Sequence, residues 1–555
     1  MKLTTTRLTH LHQLPTGVRE LLSRNIPRAA CARLLPLTSR RQFADVTQQR
    51  RNLTTQQLDS GRDERERVVI LGSGWAGYTI ARELDPKKYQ AVVVSPRSYF
   101  AFTPLLASTS VGTLEFRTAL EPIRTRRSDI SFFQGWADSV DFKNGKIAVE
   151  EAVADPSSSR ALTQDRHAGQ TKEERKEEKR VEAKKGKLFD LTYDKLVVTV
   201  GCYSQTFGTP GVKEHAYFLK DVGDARRIRS RLLACFEAAA LPTTTDDMRR
   251  HLLNFAVVGG GPTGIEFSAE LHDIIREDLA RIYPELVPFS KITVYDVATK
   301  VLPMFDEKLG KYAMEIFKRE GIDIKTSHHV EGLWPGAPGE SPGDHSAFTL
   351  KVKEEGELGV GMVVWSTGLM SNPFVANALD EVRELPHTFE RLAAAPEDSQ
   401  TSNPQQWRVK KDAKSSSILT DPQLRMKLVG DGKNKPEGIL NDVYAIGDCA
   451  ILEGSSYPAT AQVASQKASW LAKRLNKGDL DRAAGFTFKN IGVMAYIGNW
   501  NALFQGGEGG NISGRLAWVI WRGAYLTKSV SWRNKILIPI YWMINWIFGR
   551  DISRF

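Results

Sequence analysis

The sequence predicts an α/β protein that contains two similar folds, each a parallel sheet with helices on both faces. Three observations predict it. Residues 68–77 read VVILGSGWAG, a short apolar strand that runs into a Gly-x-Gly-x-x-Gly turn beginning at Gly72. Residues 255–264 read FAVVGGGPTG and repeat this turn from Gly259. Strands alternate with helical segments after both copies, so each copy indicates a turn and helix start suited to a pyrophosphate.

The length and charge of the chain set its broad class. A chain of 555 residues is too long for one core and should divide into roughly two or three domains. The net charge of +11 is concentrated at the ends, and the first 44 residues carry eight Lys and Arg against the single acid Glu20. No recognition module with interleaved aromatics occurs, so targeting and attraction to a membrane surface explain the charge better than nucleic-acid binding.

The four cysteines form no recognised site. Cys31, Cys202, Cys235 and Cys449 are widely scattered, and no Cys-x-x-Cys pair occurs. This spacing disfavours a disulfide scaffold, a zinc site and a dithiol redox centre. We expect no metal site, and we interpret Cys202 and Cys449 as small buried residues rather than as catalytic thiols.

The N-terminal 43 residues are predicted to be a mitochondrial transit peptide. Residues 1–43 are rich in Arg, Ser, Thr and Leu, poor in acids, and without a central apolar run. Arg41-Gln42-Phe43-Ala44 resembles an Arg-x-aromatic matrix-protease site, with the cut after Phe43. A disordered basic arm is the alternative. Residues 44–66 are polar and charged, and we predict a linker there.

The first fold is predicted to occupy residues 67–220. Its second strand ends at Ser95, and the string YDKLVVTVG forms a further buried strand that ends at Gly201. Residues 155–187 within this range are dense in Lys, Glu, Arg and Ser. Such a composition cannot bury enough apolar surface to order itself, so we predict a solvated insertion.

The second fold is predicted to occupy residues 221–372, beginning with a helix over 221–240. Its strand ITVYD ends at Asp296, where a carboxylate can bind the ribose hydroxyls of NAD and repel the additional phosphate of NADP. The chain is then predicted to return to the first fold over 373–480. Within that return, residues 388–435 are rich in Ser, Lys, Asp and Pro and are predicted to have little regular structure.

The returning segment carries two further candidate site features. NDVYAIGDCA ends near Gly447 and Asp448, and the Asp448 carboxylate can accept hydrogen bonds from a ribityl hydroxyl. A helix predicted over 457–474 places Gln462 and Gln466 on one face, since four residues make about one turn. An ordinary polar helix face is the simpler explanation for these glutamines from composition alone.

Together these motifs resemble the type II NADH dehydrogenases, the rotenone-insensitive alternative NADH:ubiquinone oxidoreductases of fungal, plant and protist mitochondria and of bacteria. The strings that carry the resemblance are GSGWAG from Gly72, SPRSYFAFTPLLAS from Ser95, YDKLVVTVG from Tyr193, FGTPGVKEHA from Phe207, GGGPTGIEFSAEL from Gly259, YAIGDCA from Tyr444 and PATAQVASQ from Pro458. They cover residues 67–555 apart from the charged insertions.

The resemblance implies a fold and a reaction. The fold has two Rossmann-like dinucleotide-binding domains of the two-dinucleotide-binding flavoprotein type, one for FAD and one for NADH, followed by a C-terminal membrane-anchoring and dimerising region at 481–555. In the reaction, NADH gives hydride to N5 of a non-covalent FAD, and ubiquinone then takes two electrons and two protons. No proton pumping is expected.

The resemblance assigns the first glycine turn to FAD. The residues implied to bind FAD are Gly72, Ser73, Gly74, Trp75, Ala76, Gly77, Arg97, Thr103, Pro104, Leu105, Gly201, Gly447, Asp448 and Ala461. Ser95 departs from the general flavoprotein pattern, in which an acid ends the second strand and holds the adenosine ribose. A serine hydroxyl is a weaker substitute, so we expect adenosine binding to use the backbone or water.

The resemblance assigns the second turn to NADH and the helix after it to catalysis. The residues implied to bind NADH are Gly259, Gly260, Gly261, Pro262, Thr263, Gly264, Glu266, Asp296 and Gly368. Glu266 resembles the family glutamate beside the nicotinamide; stabilisation of the helix N-terminus by its charge is the alternative. Gln462 and Gln466 match the quinone-site string A-Q-x-x-x-Q, and Tyr496 resembles a further aromatic residue near that site. We expect Glu266, Gln462 and Gln466 to be catalytic.

The C-terminal region is predicted to lie on a membrane surface. The apolar run 536–548 has 13 residues, too short to cross about 30 Å of hydrocarbon as a helix. Five tryptophans after residue 515, with the cations Arg522, Lys528, Arg533, Lys535 and Arg550, suit an interfacial anchor on anionic lipid. A buried dimer interface is the alternative, and one segment could serve both roles. We expect a homodimer.

We expect the enzyme to face the mitochondrial matrix from the inner membrane. External members of the family often carry a transmembrane segment after the targeting peptide, and some carry a calcium-binding loop. Residues 45–66 are polar, and no D-x-D-x-D-G loop occurs. The matrix side is therefore preferred over the intermembrane space.

Two other functions remain open at this point. A sulfide:quinone oxidoreductase shares the architecture but needs cysteines near the flavin to carry sulfur. A signalling flavoprotein that resembles apoptosis-inducing factor would use NADH binding to switch conformation and partners. The string PATAQVASQ and the amphipathic C-terminus favour the quinone-reducing enzyme over the signalling protein.

Overall fold

The structure is a computed structural model of the chain. It describes residues 54–125, 129–153, 159–163, 186–339, 347–379, 381–382, 384–392, 406–431, 435–507 and 510–554. The chain divides into two units after Gly61. The first unit contains helix α1 (Thr55–Ser60), which begins where the Thr54 hydroxyl accepts a hydrogen bond from the amide of Gln57. The second unit, Arg62–Phe555, contains all the other described helices and strands.

The strands build two large sheets and several small ones. In chain order the described strands are β1 Glu66–Leu71, β2 Tyr89–Ser95, β3 Tyr99–Ala101, β4 Leu120–Pro122, β5 Ser131–Asp141, β6 Lys146–Glu151, β7 Leu188–Thr192, β8 Lys195–Val198, β9 Cys202–Ser204, β10 Tyr217–Phe218, β11 Asn254–Val258, β12 Lys291–Asp296, β13 Ile322–Thr326, β14 Val330–Pro335, β15 Phe348–Val352, β16 Gly356–Val360, β17 Met362–Trp365, β18 Leu369–Ser371, β19 Glu381–Val382, β20 Phe389–Arg391, β21 Trp407–Val409, β22 Ile418–Thr420, β23 Arg425–Gly430, β24 Glu437–Ala445, β25 Ala450–Leu452, β26 Val493–Gly498, β27 Asn501–Gln505 and β28 Asn511–Gly514.

The helices cover the sheets and form the C-terminus. After α1 the described α-helices are α2 Trp75–Glu83, α3 Leu106–Ser110, α4 Val212–His215, α5 Val222–Ala239, α6 Asp246–Leu252, α7 Pro262–Ile274, α8 Ala280–Ile282, α9 Glu307–Glu320, α10 Ala461–Lys477, α11 Arg515–Lys528 and α12 Trp532–Phe548. A π-helical segment, Ile275–Leu279, joins α7 to α8.

The first large sheet has a parallel centre in the order β24–β8–β1–β2–β5. Every residue of β1 after Glu66 is buried, and so is every residue of β2. Burial on both faces is typical of a parallel sheet that helices cover on both sides, which explains the continuous apolar run of β1. Antiparallel strands β6 and β7 extend the sheet beyond β5, and β23, β21 and β19 extend it beyond β24.

The second large sheet is parallel throughout, in the order β10–β17–β11–β12–β13. It is inserted into the first fold, because the chain leaves the first sheet after β8 and returns to it only after β17. Helix α5, which follows β10 of this sheet, begins with a capping box, in which Asp221 and Asp224 each accept a backbone N–H hydrogen bond. The predicted α/β class with two doubly wound folds is confirmed.

The C-terminal residues form a small sheet and two helices. Strands β26, β27 and β28 pair antiparallel; β26 packs on α7, and α11 packs on β27. Helix α12 exposes much of its apolar surface, including Trp546 at 72% and Phe548 at 80%. Within the described ranges, no helix is both long and apolar enough to cross a membrane.

Three sequence expectations need correction. Residues 388–435 do not lack regular structure, because β20, β21, β22 and β23 lie there and join the first sheet. Residues 44–66 are not simply a linker, because α1 and the start of β1 lie within them. The helix expected over 457–474 begins later, at Ala461, where the Thr460 hydroxyl caps it. Most of the predicted insertion at 155–187 lies outside the described residues.

Candidate active site

The first glycine turn packs tightly through its first and third glycines. Gly72 has a φ of +111°, and a Cβ there would lie 2.5 Å from the carbonyl oxygen of Thr199. A Cβ on Gly77 would lie 2.0 Å from the Gly72 carbonyl oxygen. A Cβ on Gly74 would meet no described atom within 4 Å. The outer glycines therefore serve the fold, whereas the middle one leaves space for a ligand to approach the backbone.

The second turn repeats this geometry. Gly259 has a φ of +114°, and a Cβ on Gly264 would lie 2.0 Å from the Gly259 carbonyl oxygen. A Cβ on Gly261 would again meet no described atom within 4 Å. The hydroxyl of Ser366, just after β17, donates to the carbonyl of Val258 at 3.1 Å. The Thr199 hydroxyl does the same in the first turn, donating to the carbonyl of Leu71 at 2.7 Å.

A cavity of about 420 Å³ opens beside the first turn and is lined by both folds. The predicted FAD residues that line it are Gly72, Ser73, Gly74, Trp75, Ala76, Arg97, Thr103, Gly201, Gly447, Asp448 and Ala461. Gly368 and Thr263 of the second fold also line it. Gly77, Pro104 and Leu105 are not among its described lining residues; Gly77 lies against Gly72, and Leu105 is buried in the core.

The two folds differ where their second strands end. In the first fold, the Ser95 and Ser73 hydroxyls are 2.9 Å apart, and the amide of Arg97 donates to Ser95. In the second, the Asp296 carboxylate accepts the amides of Gly260 at 2.5 Å and Ala298 at 2.7 Å. An acid therefore touches the glycine turn in the second fold, and a pair of neutral hydroxyls takes that place in the first.

Arg97 has a partner that the sequence did not suggest. Its guanidinium lies 3.1 Å from the carboxylate of Asp221, which is fully buried at the start of α5. The Tyr99 hydroxyl donates to the same carboxylate at 2.7 Å. Arg97 therefore ties the first fold to the start of the second, in addition to lining the cavity. Its charge is largely satisfied by the protein, which weakens the expectation that it serves FAD alone.

A lysine and a thiol also border the cavity. The Lys220 ammonium donates to the Cys202 carbonyl and lies 3.0 Å from the Cys202 sulfur, and that thiol lies 3.4 Å from the Asp448 carboxylate. Burial raises the pKa of the Cys202 thiol, although Lys220 opposes this. Burial raises the pKa of Cys449 to about 12. Both thiols are therefore protonated near neutral pH, and neither is a ready nucleophile.

Glu266 lies in a buried contact between the second fold and the C-terminal sheet. Its carboxylate accepts hydrogen bonds from the amide of Tyr496 at 3.1 Å and from the indole of Trp521 at 3.3 Å. The Tyr496 hydroxyl donates to Asp273 at 2.5 Å, about two turns further along α7. Burial raises the pKa of Glu266 to about 8, so its carboxyl is mostly protonated at neutral pH.

Comparison with known proteins decides the family. The family model described as pyridine nucleotide-disulphide oxidoreductase matches residues 66–384, and the NDH2 C-terminal domain matches residues 491–551. A probable NADH dehydrogenase of Dictyostelium discoideum is 36% identical, covering 89% of this chain and 92% of that protein. An external alternative NAD(P)H-ubiquinone oxidoreductase of Solanum tuberosum mitochondria is 33% identical, covering 88% and 91%. The chain belongs to the type II NADH dehydrogenase family.

Other members of the family agree with this assignment. An internal alternative NAD(P)H-ubiquinone oxidoreductase of Solanum tuberosum mitochondria is also 33% identical, covering 89% of this chain and 88% of that protein. The solved structure of NDH2 from Plasmodium falciparum in complex with NADH has a TM-score of 0.69 and 22% identity. That structure covers 88% of this chain and is itself covered completely, which supports the fold.

The two glutamines that resemble the type II quinone motif use their amides within the protein. Gln462 accepts a hydrogen bond from the amide of Ile491 and donates to the carbonyl of Gly492. Gln466 accepts from the amide of Lys489 and donates to the carbonyl of the same residue. Both side chains therefore clamp residues 489–492, which lead into β26 and Tyr496.

One buried lysine was missed by the sequence reasoning. Lys467 follows Gln466 on α10 and is only 2% exposed; its ammonium donates to the carbonyl of Ala450 at 3.4 Å. Burial lowers its pKa to about 8. A signal was present, because Val463, Lys467 and Leu471 follow one another at four-residue spacing on the apolar face of the helix.

Proposed function

We propose that this chain is an FAD-dependent NADH:ubiquinone oxidoreductase that does not pump protons. One observation carries the proposal. Two glycine turns have the same packing, each leaves space at its middle glycine, and both folds contribute to the cavity beside the first turn. This arrangement suits two dinucleotides that meet between the folds.

The residues around the first turn fit FAD. The space at Gly74 lets a pyrophosphate approach the backbone amides at the start of α2. The Asp448 carboxylate lines the same cavity and can accept hydrogen bonds from ribityl hydroxyls, while Thr103 holds the Trp75 indole at 3.0 Å on another side. When bound, FAD would accept a hydride from NADH and pass two electrons to a quinone. No covalent attachment is needed.

The second turn fits NADH. Gly261 leaves space for a pyrophosphate at the start of α7, where Pro262 occupies the first helical position. The Asp296 carboxylate touches the turn through Gly260 and can also accept ribose hydroxyls. Its charge would repel the additional phosphate of NADPH, so we infer a preference for NADH.

We propose that the Glu266 carboxyl on α7 holds a proton close to where the nicotinamide binds. Since its pKa is about 8, the carboxyl is mostly protonated at neutral pH while Tyr496 and Trp521 fix its position. Quinone reduction consumes two protons, and a buried protonated acid is suited to supply one. We propose that Tyr496 orients this carboxyl through its backbone amide.

Gln462 and Gln466 are proposed to shape the quinone site through the segment that they clamp. Their amides bond to residues 489–492, which lead directly to Tyr496. We propose that Q462L and Q466L raise the KM for a short-chain ubiquinone more than they lower the rate of flavin reduction by NADH. Equal losses in both half-reactions would contradict a role at the quinone site.

The protein is proposed to bind the matrix face of the mitochondrial inner membrane as a homodimer. The exposed apolar surface of α12 supports membrane binding, and the Arg-rich residues 1–43 support import. The double variant W546S/F548S should lower cosedimentation with anionic vesicles without unfolding the protein, because both side chains are exposed. Protease protection in mitochondria and in mitoplasts would test the matrix side, and light scattering would test the dimer.

One kinetic experiment tests the function. FAD-loaded protein should reduce a short-chain ubiquinone with NADH, more slowly with NADPH, and not with sulfide. Sulfide-dependent quinone reduction would instead favour a sulfide:quinone oxidoreductase. Tight NADH binding with a charge-transfer band but no turnover would favour a signalling flavoprotein.

A further inference from the structure

A second cavity, of about 290 Å³, lies between α7 with its π-helical extension and the C-terminal helices α11 and α12. Among the described residues it shares no lining residue with the dinucleotide cavity. Five indole rings line it, those of Trp500, Trp518, Trp521, Trp542 and Trp546, together with the guanidinium groups of Arg281, Arg522 and Arg550. Tyr496 and Trp521, which hold Glu266, form one wall of this cavity, but neither proposed dinucleotide site opens into it.

The Arg522 guanidinium is stacked against two indole rings. The guanidinium carbon lies 4.1 Å from the ring centroid of Trp518 and 4.3 Å from that of Trp542. Stacking of this kind is favourable for a planar cation and fixes the orientation of the guanidinium. It leaves the N–H groups, which point outward in the plane of the guanidinium, available for other partners.

No described residue accepts these N–H groups. The Arg522 Nε is buried without a hydrogen-bond partner, and among the described residues no carboxylate forms an ion pair with this guanidinium. Burial lowers the pKa of Arg522 to about 10, although the charge of Glu270 opposes the shift. The Arg522 side chain as a whole is half-buried, but a buried donor such as its Nε is costly to leave without an acceptor, so this site can gain from a bound acceptor.

The acids around the cavity already have partners of their own. Glu270 accepts the hydroxyls of Ser108 and Thr113, Asp273 accepts the hydroxyl of Tyr496, and Glu277 and Asp278 each pair with Arg550. Because these carboxylates are held in place, none can turn to Arg522 without losing a bonded partner. None of these carboxylates bonds to Arg522, so an acceptor for its guanidinium would come from outside the described residues.

The rim of the cavity is apolar and belongs to the exposed face of α12. Trp546 lines the cavity and is 72% exposed, and Met543 and Ile547 beside it are 54% and 55% exposed. An acceptor that enters here would carry its attached groups across this surface. Long hydrocarbon chains suit the rim, whereas a free inorganic ion would leave it in water.

We propose that this cavity binds a phospholipid, whose phosphate accepts hydrogen bonds from the Arg522 guanidinium and whose acyl chains lie along α12. Arginine and phosphate match because the guanidinium can donate two parallel hydrogen bonds to two phosphate oxygens. The inference deepens the proposed membrane association and rests on it. It adds one defined headgroup site to a surface otherwise held by apolar contact and diffuse charge.

Binding of short-chain phosphatidylglycerol to the delipidated, FAD-loaded enzyme tests the proposal. Tryptophan fluorescence should report saturable binding of the dihexanoyl lipid below its micelle concentration, and ³¹P NMR should show exchange broadening of the lipid phosphate. R522Q should weaken this binding about tenfold or more, as expected for loss of a charge-assisted bidentate contact. R522K, which keeps the charge and most of the stem, should lie between R522Q and the unaltered protein.

R533Q is the matched control. Arg533 is exposed on the neighbouring helix α12 and does not line the cavity, so its loss removes the same charge from the same region. R533Q should change lipid binding by less than about twofold, because exposed charges contribute little individually. Equal weakening in R522Q and R533Q would mean diffuse surface attraction and would overturn the proposal.

Two further ligands separate the sources of the acceptor. Dihexanoylglycerol, which has the chains but no phosphate, should fail to compete, and inorganic phosphate should compete only weakly. Competition by inorganic phosphate as strong as that by the lipid would replace the lipid site with a simple anion site. If R522Q changes the oligomeric state but still binds the lipid normally, the cavity would instead be a contact site for a second copy of the chain.

The outcome is independent of the test of the proposed function. Normal lipid binding by R522Q would reject the headgroup site. It would not argue against the proposed NADH:quinone reaction or against the proposed binding to vesicles. If R522Q fails to fold, two results still test the headgroup site. R522K should bind the lipid more weakly than the unaltered protein, and the unaltered protein should bind one lipid per chain at saturation. Absence of saturable binding in the unaltered protein would overturn the proposal.

Discussion

The two glycine turns have nearly the same backbone and different chemical surroundings. Gly72 and Gly259 have φ values of +111° and +114°, and in each turn the third glycine lies against the carbonyl of the first. The strand end beside the first turn offers the Ser95 hydroxyl, and the one beside the second offers the Asp296 carboxylate. The shared geometry serves the fold and the phosphates, whereas the differing residues select the nucleotide.

The helices after the two turns also differ in what they contact. The position that holds Glu266 on α7 corresponds to Thr79 on α2, seven residues after the first glycine in each case. Helix α2 packs against α10, and α7 packs against β26 of the C-terminal sheet. The helix after the first turn therefore packs on the helix that carries the clamping glutamines, and the helix after the second carries a buried acid that the C-terminal sheet holds.

The largest expected effect is loss of FAD from G77A. The new Cβ would lie 2.0 Å from the Gly72 carbonyl oxygen and 2.6 Å from the Thr199 hydroxyl, so the turn must open. We expect the purified variant to lack flavin absorption and to lose at least about 100-fold in quinone reductase activity, or roughly 2.7 kcal/mol. G264A should instead retain FAD and lose NADH binding. Loss of FAD from both variants would contradict the assignment of the two turns.

G74A is the control for that pair. Its Cβ would meet no described atom within 4 Å, so the free energy of unfolding of the flavin-free protein should not fall. FAD affinity should fall, because the methyl group occupies the space proposed for the pyrophosphate. Unchanged affinity would place the pyrophosphate elsewhere.

The next effect is loss of coenzyme discrimination in D296N. The amide oxygen can still accept the Gly260 hydrogen bond, but the negative charge is gone. We expect the ratio of kcat/KM for NADH over NADPH to fall about tenfold, since the carboxylate no longer repels the additional phosphate. Steady-state kinetics with both coenzymes measures it. An unchanged ratio with normal FAD content would remove Asp296 from specificity.

A pH-dependent effect is expected from E266Q. Burial raises the pKa of Glu266 from 4.5 to about 8, so the unfolded chain releases this proton first. The unaltered protein should therefore lose free energy of unfolding as the pH rises from about 4.5 to about 8. E266Q stays neutral and should lose less over that window, as urea unfolding at pH 5 and pH 8 would show. An equal loss in E266Q would mean that the carboxylate is already ionised in the fold over this range.

The smallest effect is expected from S95A. The substitution removes the contact with the Ser73 hydroxyl and the hydrogen bond from the Arg97 amide. We expect the free energy of unfolding to fall by about 1 kcal/mol and FAD affinity to change little, because neutral hydrogen bonds contribute modestly. Isothermal titration of the flavin-free protein with FAD tests this. A large loss of affinity would mean that Ser95 replaces the usual acid directly.

Prediction from sequence succeeded where the signal is local. The strand ahead of Gly72, the repeat at Gly259 and the acid at the end of β12 depend on backbone sterics and residue periods of a few positions. It failed over 388–435, because strands such as Trp407–Val409 are only three residues long and sit among polar residues. Short strands of this kind are specified by the sheet edge on which they pair, and no local pattern shows that edge.

The sequence by itself determined the two doubly wound folds, the order of their motifs and the family, because glycine sterics and apolar period act within one turn or strand. Only the tertiary structure decided what the polar side chains do. It paired Arg97 with Asp221, set Gln462 and Gln466 to clamp residues 489–492, and buried Glu266 against Tyr496. These contacts join segments far apart in the chain, and a hydrogen-bond partner is chosen by proximity in the fold rather than by spacing in the sequence.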